Sequence, residues 1–341
     1  MLDDVGEPVI GDDALIARLS RCFPGVKFGR GSLGASQFRR CASTNDYEED
    51  KQMLNATLSF GLVFLLTYPI CAQVKPNRRL LDGLFGPVHT SRTEIASVTE
   101  RDGANVEGPR TLVTRIEYND DWTKAAVRNY RPDGSTAHKT LYTYDAEGRW
   151  SEIAYYEGEG KLIRRSSFLY DGEGQLLEQV DYGPSGSVMG RIVASHRKDE
   201  NKAKVTEGAV YNRNNSLRSS NVNKIEENGG KAESAFYNAD GSVANRSVVR
   251  RNEEGHWEHS EYKADGAGSS RTVNVSDGKG WGSEVQEYNG EGVLIRKQTY
   301  NHEYDSHGNW TKETEWHWES ETGKSTLVSI RYRAITYYGT E

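Results

Sequence analysis

The sequence predicts an all-β protein of consecutive antiparallel β-hairpins, about 26 residues per hairpin, forming one long, twisted, curling sheet. A tyrosine followed four residues later by a glycine recurs through most of the chain. The pairs are Tyr130 with Gly134, Tyr144 with Gly148, Tyr156 with Gly160, Tyr170 with Gly174, Tyr182 with Gly186, Tyr237 with Gly241, Tyr262 with Gly266, Tyr288 with Gly292 and Tyr304 with Gly308. Successive early tyrosines lie 14, 12, 14 and 12 residues apart, and a fixed period indicates a repeat architecture.

The residues between each tyrosine and glycine have the chemistry of a tight turn. In the copy that runs from Tyr144 to Trp150, the Asp145 side chain can accept a hydrogen bond from the backbone two residues on. Gly148 can adopt positive φ without a Cβ clash, which completes a hairpin loop. Asn215 takes the glycine position in one copy, and asparagine is the next-best residue for that conformation. Each copy therefore predicts a hairpin turn.

Segments of seven or eight residues separate the turns and have the length of ordinary strands. A turn signal every 12 to 14 residues leaves no room for a helix and its connections. Neither face of the segment from Leu162 to Tyr170 is cleanly apolar, which favours a sheet wetted on both sides over a two-layer sandwich. A sheet of so many strands cannot stay flat, so it should curl. We expect residues 88–98 to form the first strand and residues 325–338 a last strand that covers the open edge.

The composition suits a thin β structure with much surface. Only 35% of residues are hydrophobic, the mean hydropathy is −0.77, and the chain has 35 glycines and 19 tyrosines. The net charge of −7 argues against nucleic acid as the main partner. All three cysteines precede the repeats, at positions 22, 41 and 71, so the repeats have no disulfide framework and no thiolate metal site.

The residues before the repeats contain a segment typical of export. Residues 56–66 are apolar, no charge appears between Asn55 and Lys75, and Pro69 is followed by the small residue Ala72. We therefore divide the chain into a disordered or spurious N-terminal extension (1–52), a signal peptide or membrane anchor (53–72), a linker (73–87) and a β-hairpin repeat domain with terminal cap strands (88–341). A transmembrane anchor and a buried helix of a cytosolic domain remain alternatives for the apolar segment.

The turn residues resemble the YD repeats of the RHS family. The segment from Tyr304 to Lys312, with Asp305, Gly308 and Trp310, matches that pattern best, and the resemblance covers roughly residues 115–315. It implies a coiling β-hairpin ribbon and export. Large members of the family build a hollow shell around a toxin, but this chain is too short to close such a shell. It also has no Asp-Pro dipeptide and nothing that resembles a toxin domain after Tyr338, so the delivery function does not carry over.

The aromatic residues are the candidate binding residues. Exposed tryptophans could stack on sugar rings, and the candidates are Trp150, Trp257, Trp310 and Trp318. The alternative is that they are packing residues of a thin sheet, since their positions follow the repeat. His256 and His259 would point to opposite faces of a strand, and His307 falls in a turn, so we expect no metal site. No catalytic motif or phosphate-binding glycine loop occurs, and we expect no cofactor.

The sequence thus predicts a non-enzymatic exported protein, secreted, periplasmic or at the cell surface, that acts as an interaction or structural module. Its partner would be a protein or glycan at the cell surface, and it would contact a membrane only if residues 56–72 remain as an anchor. Glycan binding through the Trp and Tyr rows is one alternative, and a part in a toxin-delivery system is another. An enzyme with a site dispersed over several strands is the least favoured reading.

Overall fold

A computed structural model describes residues 82–339, apart from positions 122, 319 and 321. The predicted extension, the apolar segment and the three cysteines lie outside these described residues. Within them the chain forms strands and turns, and none of its elements is a helix that could cross a membrane. The strands are β1 (Val88–Arg101), β2 (Ala104–Tyr118), β3 (Lys124–Tyr130), β4 (Thr136–Tyr144), β5 (Trp150–Glu157), β6 (Lys161–Tyr170), β7 (Leu176–Tyr182), β8 (Val188–Lys198), β9 (Lys204–Asn212), β10 (Leu217–Ile225), β11 (Lys231–Asn238), β12 (Val243–Arg251), β13 (Trp257–Lys263), β14 (Gly268–Ser276), β15 (Gly282–Asn289), β16 (Leu294–Tyr304), β17 (Trp310–Trp318) and β18 (Ser325–Tyr337).

The 18 described strands form a single sheet in which each strand pairs antiparallel with its neighbours in sequence. The predicted run of consecutive hairpins is therefore confirmed. The sequence left open whether this curling sheet closes, and the structure shows that it closes on itself. Strand β18 pairs with β1 over nine residue pairs, from Val88 with Tyr337 to Ser97 with Ser329. The last strand covers an open edge, as predicted, and the edge that it covers is that of the first strand.

The closed sheet has two rims. The terminal rim holds residues 82–87, the end of β18 and the turns that follow the even-numbered strands, such as residues 145–149 and 305–309. The free rim holds the turns that follow the odd-numbered strands, such as residues 239–242 and 290–293. Two successive turns on the same rim are therefore separated by two strands and the turn between them. This is why Gly148 and Gly174, which lie in neighbouring turns of the terminal rim, are 26 residues apart.

The turns have the predicted geometry. The Gly148 N–H donates to the Asp145 carbonyl at 3.0 Å, and the Asp145 side chain accepts from the Arg149 N–H, four residues on, at 2.8 Å. In the next copy on this rim, the Asp171 side chain accepts from the Glu173 N–H at 2.9 Å, which is the predicted bond two residues on. Gly148 has φ of 75°, and Asn215, in the equivalent place of its copy, has φ of 64°. The copy at Tyr156 departs from the rule, since its positive φ lies at Gly158 instead of Gly160.

Following the strand register around the ring assigns each side chain to one of two faces. One face carries deeply buried polar side chains, including Ser166 (1% exposed), Asn221 (2%) and Asn223 (3%). We take it as the concave inner face, where side chains converge. The outer face carries the exposed Leu169 and cation–π pairs such as Arg165 over Tyr182 at 4.5 Å. Neither face is cleanly apolar, in agreement with the sequence.

Apolar side chains cluster where the N-terminal segment meets the closing strands. Leu84, Val88 and Tyr118 are buried together, and Trp281 and Ile335 pack against them. Residues 82–87, which the sequence assigns to the linker, thus contribute Leu84 to this cluster. The cluster lies at the terminal rim and fixes the inner-face side chains around it.

Candidate functional site: the inner face at the terminal rim

Tyrosines of the repeat tie neighbouring turns of the terminal rim together. The Tyr304 hydroxyl, at the end of β16, donates to the Asp277 carboxylate in the turn one hairpin earlier. The Tyr337 hydroxyl donates in the same way to Asp305. In the N-terminal segment the equivalent acceptor is Asp82, which accepts from Tyr118 at 2.8 Å. At these three places a phenol binds a carboxylate near the same rim, whereas the Tyr144 hydroxyl donates to the Lys124 carbonyl at 2.7 Å.

The pKa values of these pairs shift in the directions that the bonds require. Burial and the neighbouring Asp277 raise the pKa of Tyr304 to about 12. Burial and the hydrogen bond to Asp305 likewise raise the pKa of Tyr337 to about 12. Burial opposes ionisation of Asp277 and Asp305, but hydrogen bonds from the tyrosines and from turn N–H groups outweigh it and hold the pKa of both carboxyls below the usual value.

The structure places three of the four predicted tryptophans on the same face and at the same rim, on strands that are not neighbours. Trp150, Trp257 and Trp310 each open a strand at the terminal rim, and the register puts all three on the inner face. Trp318 ends β17 at the free rim and lies on the outer face, opposite Lys297. The four residues therefore do not form one row.

The three inner tryptophans differ in how much ring surface they offer. Trp310 is 4% exposed, and the Arg333 guanidinium lies 3.5 Å from its ring centre. Trp150 packs between Tyr142 and Phe168, with ring centres 6.3 and 6.1 Å away. Trp257 is half-buried with Arg251 over its ring. Trp310 is thus a packing residue, while Trp257 keeps a partly open edge.

A buried histidine connects two carboxylates behind Trp310. The His302 Nε2 lies 2.9 Å from a Glu313 oxygen, its Nδ1 lies 3.7 Å from Asp277, and its side chain is 3% exposed. Glu313 also pairs with Arg331. His307 instead stacks on Tyr337 with ring centres 4.0 Å apart. In the described part of the chain, no three His, Cys, Asp or Glu side chains are grouped so that they could hold a metal ion.

Two arginines of β18 project onto the inner face beside this network. Arg333 lies over Trp310 and also near Trp281, 5.5 Å from that ring centre. Burial lowers the pKa of Arg333 to about 10, which leaves it charged at neutral pH. The Nε and Nη1 atoms of Arg333 and the Nε atom of Arg331 are buried without a hydrogen-bond partner. Arg331 is paired with Glu313, but both guanidinium groups keep buried N–H donors that no acceptor satisfies.

An open pocket of roughly 440 Å³ lies just outside these residues on the terminal rim. It is lined by Phe85, Lys279, Asp305, Ser306, His307 and Gly308. Phe85 packs edge-on against Trp281, with ring centres 6.2 Å apart, so Trp281 separates this pocket from Arg333. The pocket offers one aromatic wall and one cation, Lys279, whose Nζ lies 3.7 Å from the Tyr304 ring centre.

The inner face also carries unpaired amides away from the rim. Asp181 accepts from Ser166 at 2.6 Å and from Gln179 at 2.9 Å, which leaves the Gln179 Oε1 atom buried and unbonded. The Oδ1 atom of Asn221 and both amide atoms of Asn223 on β10 have no partner either. Polar groups with spare hydrogen-bonding capacity therefore extend over more than one part of the inner face.

Sequence reasoning missed Arg333 and Arg331 as members of this site. A signal was present, because alternation along the last strand places Arg331 and Arg333 on one face. What the sequence lacked was the pairing of that strand with β1, which turns this face into the inner wall of a closed sheet.

Comparisons with known proteins assign no family. No protein-family model matches the chain, and no curated protein matches it significantly. Among solved structures, a porin-like protein from Bacteroides uniformis is 10% identical, with a TM-score of 0.40, over 74% of this chain and 98% of that one. A LolA superfamily protein from Nitrosomonas europaea is 8% identical, with a TM-score of 0.21, over 80% and 96%. The Photorhabdus luminescens Tc holotoxin pore is 12% identical, with a TM-score of 0.17, over 68% of this chain and 15% of that one. Likenesses this weak carry no inference about function.

Proposed function

We propose that this chain is an exported, non-enzymatic β-repeat protein of the cell envelope or exterior that acts as an interaction module. The observation that carries the proposal is the inner face of the closed sheet. It is concave and combines aromatic, cationic and amide side chains, of which Trp257, Arg333 and Asn223 are examples. Concave surfaces with a few placed polar groups are the usual form of binding sites.

The arrangement of titratable groups favours binding over catalysis. Asp277 and Asp305 accept hydrogen bonds from tyrosines and turn N–H groups, and their lowered pKa values make them poor general bases. The Ser166 hydroxyl donates to Asp181, without a histidine between them to activate it. These groups hold the sheet together. Turnover of a hydrolase or transferase substrate by the full chain, abolished by a point substitution, would contradict the proposal.

Export is the part of the proposal that a direct experiment tests first. The chain would be expressed with a C-terminal tag in its native host, the cells fractionated, and the N-terminus of the mature protein sequenced. We expect the protein in the envelope or the medium, with Gln73 as its first residue if the apolar segment is a cleaved signal. An intact Met1 on a protein confined to the cytosol is the contrary result.

Glycan binding is the second candidate function, and the position of Trp257 supports it. Its ring is half-buried on the inner face and close to the terminal rim, where a sugar could stack. The full chain and its Trp257→Ala variant would be applied to a glycan array, with Trp318→Ala, on the outer face, as the matched control. We expect the first substitution to abolish binding and the second to preserve it. Silence of the unsubstituted chain across the array would count against this function.

A further inference from the structure

We propose that Arg331 and Arg333 form a binding site for an oxyanion, a carboxylate or phosphate group carried by the ligand, on the inner face of the sheet. The two side chains lie two residues apart on β18 and share one face. The inference rests on the proposed binding function, and it names the chemistry that the inner face would recognise.

Uncompensated charge is the first observation behind this site. Among the residues that the structure describes from position 82 onward, none forms an ion pair with Arg333. Two carboxylates act electrostatically on Arg333, and both are already engaged: Glu313 by Arg331 and His302, and Asp82 by Lys124 at 2.7 Å and by Tyr118. A charge removed from water without a partner is costly, whereas a bound oxyanion would supply both the opposite charge and the missing hydrogen-bond acceptors.

The second observation is that the guanidinium groups are held in place. The carbon atom at the centre of the Arg333 guanidinium lies 3.5 Å from the centre of the Trp310 ring. Because Trp310 is itself only 4% exposed, its ring is held by the surrounding residues and in turn holds the guanidinium in place. Arg331 is anchored through Glu313, yet its side chain is 37% exposed, so solvent and small ligands can reach it. Anchored guanidinium groups lose little freedom on binding, which favours planar carboxylate and phosphate groups.

Comparison with another inner-face arginine shows what is unusual. Arg164 also stacks on an aromatic ring, with its guanidinium 3.8 Å from the Tyr155 ring centre. However, Asp181 lies 4.0 Å from Arg164 and compensates its charge. Arg164 and Arg333 thus lie on the same face of the sheet, and each stacks on an aromatic ring. Arg164 has a carboxylate partner, whereas Arg333 has none among the described residues. This makes Arg164 the matched control.

The experiment is a fluorescence titration of the full chain. Trp310 and Trp281 flank Arg333, so occupation of the site should change their emission. Inorganic phosphate and glucuronate would be titrated separately, with chloride added to keep the ionic strength constant. Comparing the two titrations shows whether the site recognises a phosphate or a sugar carboxylate. We expect a saturable change with at least one of them, lost in Arg333→Met and retained in Arg164→Met. A linear, non-saturating response to both anions, or an equal response in Arg333→Met, would overturn the proposal.

Further variants keep the test decisive if Arg333→Met fails to fold. Arg331→Met leaves the stack on Trp310 intact and should weaken the apparent affinity about tenfold or more, as expected for a charged hydrogen bond. Arg333→Lys keeps the charge but loses the planar donor fork, and should weaken it as well. If neither variant changes the titration, the anion does not bind at these two arginines and the proposal is wrong. If no anion binds but the protein is found in the envelope, the oxyanion site is refuted while the proposed function is not.

Discussion

Replacing Asn309 with alanine tests how the N-terminal segment is fastened to the closed sheet. Asn309 is 0% exposed in the turn between β16 and β17. Its Oδ1 accepts from the Phe85 N–H at 2.6 Å, and its Nδ2 donates to the Phe85 carbonyl at 2.7 Å. The same Nδ2 also donates to the Tyr337 hydroxyl at 2.8 Å. One side chain thus joins the N-terminal segment, a turn and the last strand.

The magnitude follows from the groups that the substitution leaves unpaired. Alanine would orphan the Phe85 N–H and carbonyl, and a buried orphan costs about 1–3 kcal/mol. The Phe85 side chain is 37% exposed, so water can reach part of this region, and we take the lower half of the range. The expected loss is about 3 kcal/mol, which is about 100-fold in the folding equilibrium.

The measurement is urea unfolding of the full chain, followed by far-UV circular dichroism and by tryptophan fluorescence. The matched control is Gln175→Ala, which has the same turn position on the same rim but lies far along the sheet from the β1–β18 pairing. There the side chain bonds only the exposed Glu173. We expect this control to change stability by less than about 0.5 kcal/mol. A loss below about 1 kcal/mol for Asn309→Ala, or equal losses for the two variants, would refute the reasoning.

The remaining predictions concern the tyrosines and one glycine. Because the folded-state pKa values of Tyr304 and Tyr337 are raised from 10.0 to about 12, their contribution to stability is complete below pH 10 and is lost as the pH rises to 12. Urea midpoints measured across that range should fall, and Tyr304→Phe should flatten the fall; an unchanged slope is the contrary outcome. Gly290→Ala should cost about 3 kcal/mol, because its Cβ would lie 2.3 Å from the Gly268 carbonyl oxygen. Gly292→Ala, whose Cβ meets nothing within 4 Å but which has φ of 79°, should cost only about 1 kcal/mol, and a reversed order by thermal unfolding would contradict this account.

The sequence predicted the local structure because the information for it is local. A turn that needs positive φ at Gly148 and a side-chain acceptor at Asp145 can be read from five residues. The strand ends follow, since the segments between turns are short. The sequence also placed the first strand at Val88 and the last at Ser325, where β1 and β18 begin.

Closure could not be predicted from the same signals. Whether a curling sheet stays open depends on the number of strands and on the stagger accumulated between them, and no single repeat encodes either. In retrospect, β1 and β18 are 14 and 13 residues long, whereas β3 and β13 have seven. Two long strands at the two chain ends are partners of matched length, which is the feature that sequence reasoning overlooked.

The predicted aromatic residues were only partly informative about the site, for a reason that the register supplies. A tryptophan that opens a strand at the terminal rim faces inward, as Trp150 and Trp257 do, but one that ends a strand, such as Trp318, faces outward. The sequence shows that a tryptophan is present but not which face of the sheet its side chain occupies. The cation–π pairs were missed for a similar reason, because Arg165 and Tyr182 become neighbours only once β6 and β7 are aligned.

Closure of the sheet also changes the environment of the charged residues on the last strand. In an open ribbon, Arg331 and Arg333 would lie on a terminal strand, hydrated and free to pair with solvent ions. Pairing of β18 with β1 places them on a concave wall beside Trp310, and their unbonded nitrogen atoms lose contact with water. The free energy lost in burying these charges is recovered if an anion binds. The same closure that removes the exposed edges of the sheet therefore creates the strongest candidate for a binding site.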